Sequence, residues 1–379
     1  MNKKLISGIV AVVLGFAVGI VLAMILGINF ENGFDTYWPH EILAPMLKSF
    51  TGFDITGQEP FRIHYFGEFL VSSVPLILTG LSVAFAFKTG LFNIGAEGQL
   101  MMGALVATLA GIYLDLPPVI HPIVCIILAA GAGFLYGFIP GYLKARFNVH
   151  EVVTCIMLNY TAMYFANLIY RGIPGFHDEK TPMINESASL SSKFLSGLTG
   201  GSRLNWSILL VVISAIVFWF IINKTTFGYR LKAIGNNKEA ARYAGMNVNQ
   251  GIMFSMGISG VFAALAGAAL VLGVFGHGRT LSAFENYGYN GIAVALVGAN
   301  TAIGVIFSGG LFGILAVAQP IMQSGGIPKD IAVIISALII LFCAIPALYN
   351  VYIERWADKR AEKKKRKQGL EKKDSGGAV

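Results

Sequence analysis

Residues 5–28 read LISGIVAVVLGFAVGIVLAMILGI, an apolar run of 24 positions that carries no charge. About 20 such residues suffice for a helix to cross the hydrocarbon core of a bilayer. Met1-Asn2-Lys3-Lys4 ahead of the run resembles the start of a signal peptide. The run is longer than a typical h-region, however, and no A-x-A cleavage site follows, so a retained first membrane helix is expected. Runs of the same kind recur at 67–87, 91–114, 119–143, 152–170, 206–223, 252–275, 288–300, 303–323 and 331–350. Only structures that close their backbone hydrogen bonds internally survive in lipid. The expected fold is therefore all-α, a polytopic integral membrane helical bundle of about ten transmembrane helices. The 288–300 run is too short to span alone, and Asn300, Thr301 and the Gly-rich 303–323 segment follow it. It reads as a short or broken helix, tolerated where it lines protein or a water-filled cavity.

Composition points the same way. Of 379 residues, 55% are hydrophobic and 13% charged, against about 25% charged in a soluble domain. Mean hydropathy is +0.67. The net charge of +8 is concentrated: ten of the 28 Lys and Arg residues lie in 355–373, after the last apolar run. That distribution fits a membrane-surface anchor and not a nucleic-acid site. With the N-terminus inside, 20 basic residues fall in cytoplasmic segments and eight in outer ones, so both termini are expected in the cytoplasm. The organisation that follows is a first transmembrane helix at 1–28, an outer loop at 29–66 and a membrane domain at 67–350. A second outer loop at 171–205 and an inner loop at 224–251 interrupt that domain, and a basic cytoplasmic tail occupies 351–379. Cys125, Cys155 and Cys343 all sit in apolar runs with no metal-ligand spacing, which argues against disulfides and zinc.

The inner loop carries FGYRLKAIGNNKEAARYAGMNV at 227–248. Asn236 followed by Glu239 resembles a capping box, the alanines favour helix, and Gly245 suits the position after a helix end. A two-turn helix over 237–244 is expected, with a small-residue face beside Arg242 and Tyr243. Such a helix suits either a groove on a partner protein or a connector lying on the membrane.

This segment resembles the coupling helix of the permease family that serves ATP-binding-cassette importers of ribose, branched-chain amino acids and nucleosides. GLFNIGAEGQ at 90–99, NVHEVVTCIMLNY at 148–160 and GIAVALVG at 291–298 resemble its nucleoside-type branch. The likeness runs from about residue 67 to 345, with the four motifs in family order. It implies a permease subunit that translocates nucleosides or related solutes across a bacterial cytoplasmic membrane. It also implies a cytoplasmic ATPase carrying ATP and Mg2+, a second and homologous permease subunit forming a heterodimer, and an extracellular solute-binding lipoprotein. No cofactor is expected on this chain. The residues implied for ATPase coupling are Gly235, Asn237, Glu239, Ala240, Ala241, Tyr243 and Gly245. A simple-sugar permease is the alternative within the family, and an ion-coupled secondary transporter titrating Glu97 or Glu285 is the alternative outside it.

The polar residues inside apolar runs are the candidates for a solute path. Intramembrane carboxylates face a cavity or a partner, and at helical spacing Asn93 and Glu97 would share a face. Gln99 flanks them. Pathway lining and helix–helix glue both fit these residues. Glu151 suits the first turn of its helix, with Asn159 and Tyr160 about 12 Å further in. Asn286 and Asn290, near the short helix, are of the same kind. No P-loop is present, Thr154 replaces the second histidine of an H-E-x-x-H pattern, and no G-x-S-x-G occurs. The six histidines are scattered. A non-enzymatic chain is expected.

Overall fold

The computed structural model describes residues 3–26, 39–54, 57, 60–328 and 330–344. Among these are fourteen α-helices: α1 (Lys3–Leu26), α2 (Pro39–Thr51), α3 (His64–Phe87), α4 (Ala96–Tyr113), α5 (Ile120–Phe147), α6 (Glu151–Arg171), α7 (Lys193–Leu198), α8 (Ser207–Lys224), α9 (Thr226–Asn236), α10 (Lys238–Tyr243), α11 (Val248–Ala269), α12 (Tyr287–Val297), α13 (Ala302–Ser324) and α14 (Asp330–Ala344). The chain is a multi-pass helical membrane protein. Among the described residues, six helices are long and apolar enough to cross a bilayer: α3, α5, α6, α8, α11 with its π-helical extension, and α13. The basic tail at 351–379 lies outside the described residues.

Burial sorts these helices into an interior and a perimeter. Along α3, 89% of the apolar window is buried, whereas α5 and α6 bury 28%. An all-round apolar helix needs an apolar environment on every side. For α3 that environment is protein, with Leu78, Leu81 and Phe85 fully enclosed. For α5 and α6 the exposed residues Ile127, Leu135, Val153 and Leu168 leave a face that suits lipid.

Two expectations about irregular segments change. The 29–66 loop contains α2, whose Ile42, Met46 and Ser49 repeat at helical spacing and are buried. Ser49 Oγ donates to the Ile314 carbonyl of α13 at 3.2 Å, so this stretch is partly a packed helix too short to cross. The 91–114 run does not start as helix. Residues 88–95 form a turn with Gly90 at φ +69°, and α4 begins at Ala96. Asn93 therefore precedes the helix that carries Glu97, and the two do not share a helical face.

The short helix is present as α12, 11 residues long, but the break lies ahead of it. α11 ends in a π-helical turn, Leu270–Phe275, and residues 276–286, here termed the strap, have no regular structure. One end of the strap sits at the 171–205 loop, where Ile184 N–H donates to the Gly276 carbonyl at 2.9 Å. Ile184 packs on Gly111 near the end of α4. The other end meets Glu97 in the first turn of α4. The strap thus runs beside α4 from the level of Gly111 to that of Glu97, about 21 Å along the helix. Irregular backbone at that depth needs partners, and it has them. Thr181 N–H donates to the Gly278 carbonyl at 3.0 Å, and Thr280 N–H to that of Glu179 at 2.9 Å. The Asn167 amide closes both backbone groups of Leu281 at 2.9 and 2.8 Å.

Candidate functional site

Glu97 holds the lower end of the strap. Its Oε1 accepts from Asn286 N–H at 2.9 Å and its Oε2 from Gly288 N–H at 2.6 Å. The first N–H groups of a helix have no intrahelical acceptor and sit at its positive end, so a carboxylate there satisfies both needs of α12. The approach is close enough that a Cβ on Gly288 would come within 3.0 Å of Glu97 backbone. Glu97 is fully buried.

Around it the expected pathway residues form a closed junction. Asn93 Nδ2 donates to Gln99 Oε1 at 2.8 Å and to Ser259 Oγ at 2.7 Å, while its Oδ1 accepts from Gly95 N–H at 3.0 Å. Asn159 Oδ1 accepts from Gly98 N–H at 2.9 Å, and its Nδ2 donates to the Ile94 carbonyl and the Tyr289 hydroxyl at 3.0 and 3.1 Å. All three amide residues are buried and engaged. A satisfied buried network fixes a unique packing, and here it locks the 88–95 turn between α3, α6 and α11. Tyr160 differs: it is half-exposed, its ring 4.8 Å from that of Phe284 on the strap. Asn290 is half-buried on α12. Glu151 pairs with Lys144 at 2.8 Å and ties α6 to α5.

Beside the strap lies a cavity walled by α4, α6, the end of α11 and the strap itself. Glu97 borders it together with Met101, Met163, Asn167, Tyr170, Phe275, His277, Arg279 and Glu285. Arg279 and Glu285 lie in RTLSAFEN at 279–286, a polar stretch between the expected helices at 252–275 and 288–300, and contacts distant in sequence, that of Leu281 with Asn167 across 114 positions and that of Asn286 with Glu97 across 189, draw it against the bundle.

The 224–251 loop forms two helices in place of one. α9 ends at Asn236, so the cap of α10 is Asn237, whose Oδ1 accepts from Ala240 N–H at 3.0 Å. Gly245, at φ +75°, closes the other end: its N–H donates to the Arg242 carbonyl and Met246 N–H to that of Ala241, both at 3.0 Å, a Schellman pattern. The small-residue face divides. Ala241 is 4% exposed and packs inward with Leu91, Ile234 and Val248, so it cannot present bulk to a partner. Glu239, Ala240 and Tyr243 point outward, Tyr243 with 92% of its surface free. Gly235 of α9 sits so close to Lys88 and Gly90 that a Cβ there would fall within 3.0 Å of the Lys88 carbonyl. The α9–α10 unit thus touches the turn that leads, within seven residues of Gly90, to Glu97.

Among the described residues, no group of three His, Cys, Asp or Glu side chains is placed to hold a metal. The comparisons with known proteins agree with a transport role. The family model described as the branched-chain amino acid transport system / permease component matches residues 65–344. The chain is 44% identical over 343 residues to the guanosine ABC transporter permease protein NupP of Bacillus subtilis, covering 90% of this chain and 93% of that one. It is 31% identical over 375 residues to the nucleoside ABC transporter permease protein NupB of Lactococcus lactis, covering 97% and 98%. It is 34% identical over 297 residues to the glucose ABC transporter permease protein TsgB13 of Haloferax volcanii, covering 75% and 77%. No solved structure gives a significant match. By a match that covers most of its length and these full-length likenesses, the chain belongs to the permease-component family of the branched-chain amino acid transport system, the membrane subunits of ABC importers.

Proposed function

We propose that this permease carries nucleosides, guanosine among them, across the bacterial cytoplasmic membrane. It works with a homologous second permease, a cytoplasmic ATPase and an extracellular solute-binding lipoprotein. The solute assignment is supported by the likeness to NupP over nine-tenths of the chain. The likeness to TsgB13 supports a simple sugar as the second reading. In this reading the chain crosses the membrane ten times with both termini inside. A thiol reagent that cannot cross membranes should label Lys193→Cys in intact cells but Ser375→Cys only after permeabilisation. The reverse pattern would overturn the topology.

One observation carries the mechanism: the outward face of α10 and the latch at Glu97 are joined by the 88–95 turn, through the close backbone approach of Gly235 to Gly90. In the proposed cycle the ATPase engages Glu239, Ala240 and Tyr243, and its closure moves the turn. The turn in turn moves the strap through Glu97. Ala240→Trp should obstruct that engagement. Overpacking costs about 1–3 kcal/mol, so guanosine uptake should fall about tenfold and less ATPase should co-purify. The amount of chain in the membrane should not change, because Ala240 is exposed. Lys238→Ala is the control and should behave as the parent. If Ala240→Trp keeps normal uptake and ATPase recovery, α10 is a connector and nothing more.

A further inference from the structure

Three charged side chains border the cavity beside the strap: Glu97, Arg279 and Glu285. Each charge is met locally. Glu97 accepts from the two backbone N–H groups at the start of α12. Arg279 Nη2 donates to Glu285 Oε1, and the guanidinium lies over the Phe275 ring, 3.8 Å from its centroid. Around these groups the wall is mostly apolar, with Leu100, Met101, Met163 and the Tyr170 and Phe275 rings beside the polar Asn167 and His277. Lys180, on the adjoining 171–205 loop, is exposed and does not line the cavity.

A cavity that was to hold a phosphate or carboxylate would need a free guanidinium fork or ammonium group. Here the one guanidinium is already committed to a carboxylate. An anion entering would find only the His277 imidazole, which carries no charge in its neutral form, and would be desolvated without a fixed counter-charge. An uncharged solute with a flat ring meets none of that cost and finds aromatic and thioether surface. The two paired residues also share one element. The strap is bounded by left-handed backbone at Gly276 (φ +69°) and Asn286 (φ +65°) and preceded by a π-helical turn, a feature frequent at functional sites.

We propose that this cavity is a solute compartment built within this single chain, and that the Arg279–Glu285 pair makes it accept uncharged aromatic solutes and refuse anionic ones such as nucleoside phosphates. The proposal rests on the importer reading above and names the residues of the chain that set its solute charge. Uptake alone cannot test it, because an external binding protein would filter solutes first.

Thiol accessibility tests the cavity directly. Ala104→Cys places a thiol in the α4 wall of the cavity. The full chain in membrane vesicles, with its native cysteines replaced, is treated with hydroxyethyl or sulfonatoethyl methanethiosulfonate, two reagents of similar size. Each rate is divided by that reagent's rate with a free thiol. The neutral reagent should react at least tenfold faster than the anionic one, and guanosine should protect the thiol while its monophosphate should not. Adding Glu285→Gln uncovers Arg279, and the ratio should fall below about threefold with the neutral rate little changed. Adding Arg279→Gln to that variant should restore the preference. Size-exclusion profiles confirm that each variant remains folded. Equal rates in the parent, absence of labelling, or an equal rise of both rates in Glu285→Gln would overturn the proposal; the last would make the pair a brace for the strap. If the labelling ratios hold while Ala240→Trp proves harmless, the coupling reading fails and the compartment stands. The opposite pattern removes the compartment alone.

Discussion

Glu97→Gln is expected to cut guanosine uptake by tenfold or more while nearly normal amounts of the chain reach the membrane. Glu97→Leu should lower both. The carboxylate has two oxygens, and each accepts one N–H from the start of α12. Glutamine keeps one acceptor and turns an NH2 group toward the second N–H. One buried donor is then unsatisfied, at about 1–3 kcal/mol, and the charge that favoured the positive helix end is lost. Each 1.4 kcal/mol is about a factor of ten. The penalty falls on the register of α12 and the lower end of the strap, and less on the bundle, because Tyr287 and Thr79 still join α12 to α3 at 2.9 Å. Leucine leaves both donors unmet. Uptake by whole cells, normalised to immunoblotted membrane protein, reads the effect. Full uptake in Glu97→Gln would mean that the carboxylate is not the latch described here.

Residue chemistry alone revealed much of the fold, and the missing pieces have a common cause. Apolar runs announce helices because lipid and protein interior both demand apolar side chains, so α3, α5, α6, α8, α11 and α13 each lie within a few residues of an expected run. Capping chemistry is local, which is why α10 and Gly245 were legible although the cap moved from Asn236 to Asn237. Ala241 was not, because alanine is equally at home in a core and on a docking face. The strap was hidden for a deeper reason. Polarity in a membrane protein signals water only when no internal partner exists. The partners of the strap, Asn167, Thr181 and Glu97, are 97 to 189 positions away. The same long range defeated the pairing of Asn93 with Glu97 on one face, since Ser259 holds Asn93 and Asn159 holds the Ile94 carbonyl, drawing the turn ahead of Ala96 inward.

In the proposed cycle the moving and the fixed parts of the chain lie in different elements. The turn at 88–95, the strap and α12 meet through hydrogen bonds, which can exchange partners. The α4–α11–α5 stack meets through backbone contact, which cannot. Gly103 and Gly267 bring α4 and α11 together, and Gly133 and Gly260 do so for α5 and α11, each with no room for a Cβ. In membranes, where apolar side chains gain nothing by leaving lipid, such close packing is a principal source of association. A rigid stack beside a hydrogen-bonded strap is what a wall with one movable side requires.

That stack sets the last expectation. Gly260→Ala should reduce the yield of folded, monodisperse protein at least fivefold, whereas Gly251→Ala, on the same helix, should leave it near the parent level. Both substitutions gain about 1 kcal/mol of helix propensity, so any loss must come from the surroundings. At Gly251 the added Cβ meets Ile234 Cδ1, the free end of a flexible side chain. At Gly260 it meets the Gly133 carbonyl carbon at 3.0 Å and the carbonyl oxygen closer still. A rotamer change relieves the first clash. The second yields only if α5 and α11 move apart, and separation forfeits dispersion contacts along both helices. Overpacking by a single methyl typically costs about 1–3 kcal/mol when side chains can shift, and more is expected where backbone opposes backbone. Against a total stability of about 5–15 kcal/mol, that is enough to remove much of the protein before it accumulates. Fluorescence-detected size exclusion of detergent extracts measures both variants side by side. Equal profiles would mean that α5 and α11 have slack at their crossing, and the rigid side of the cavity would then have to be sought in α3.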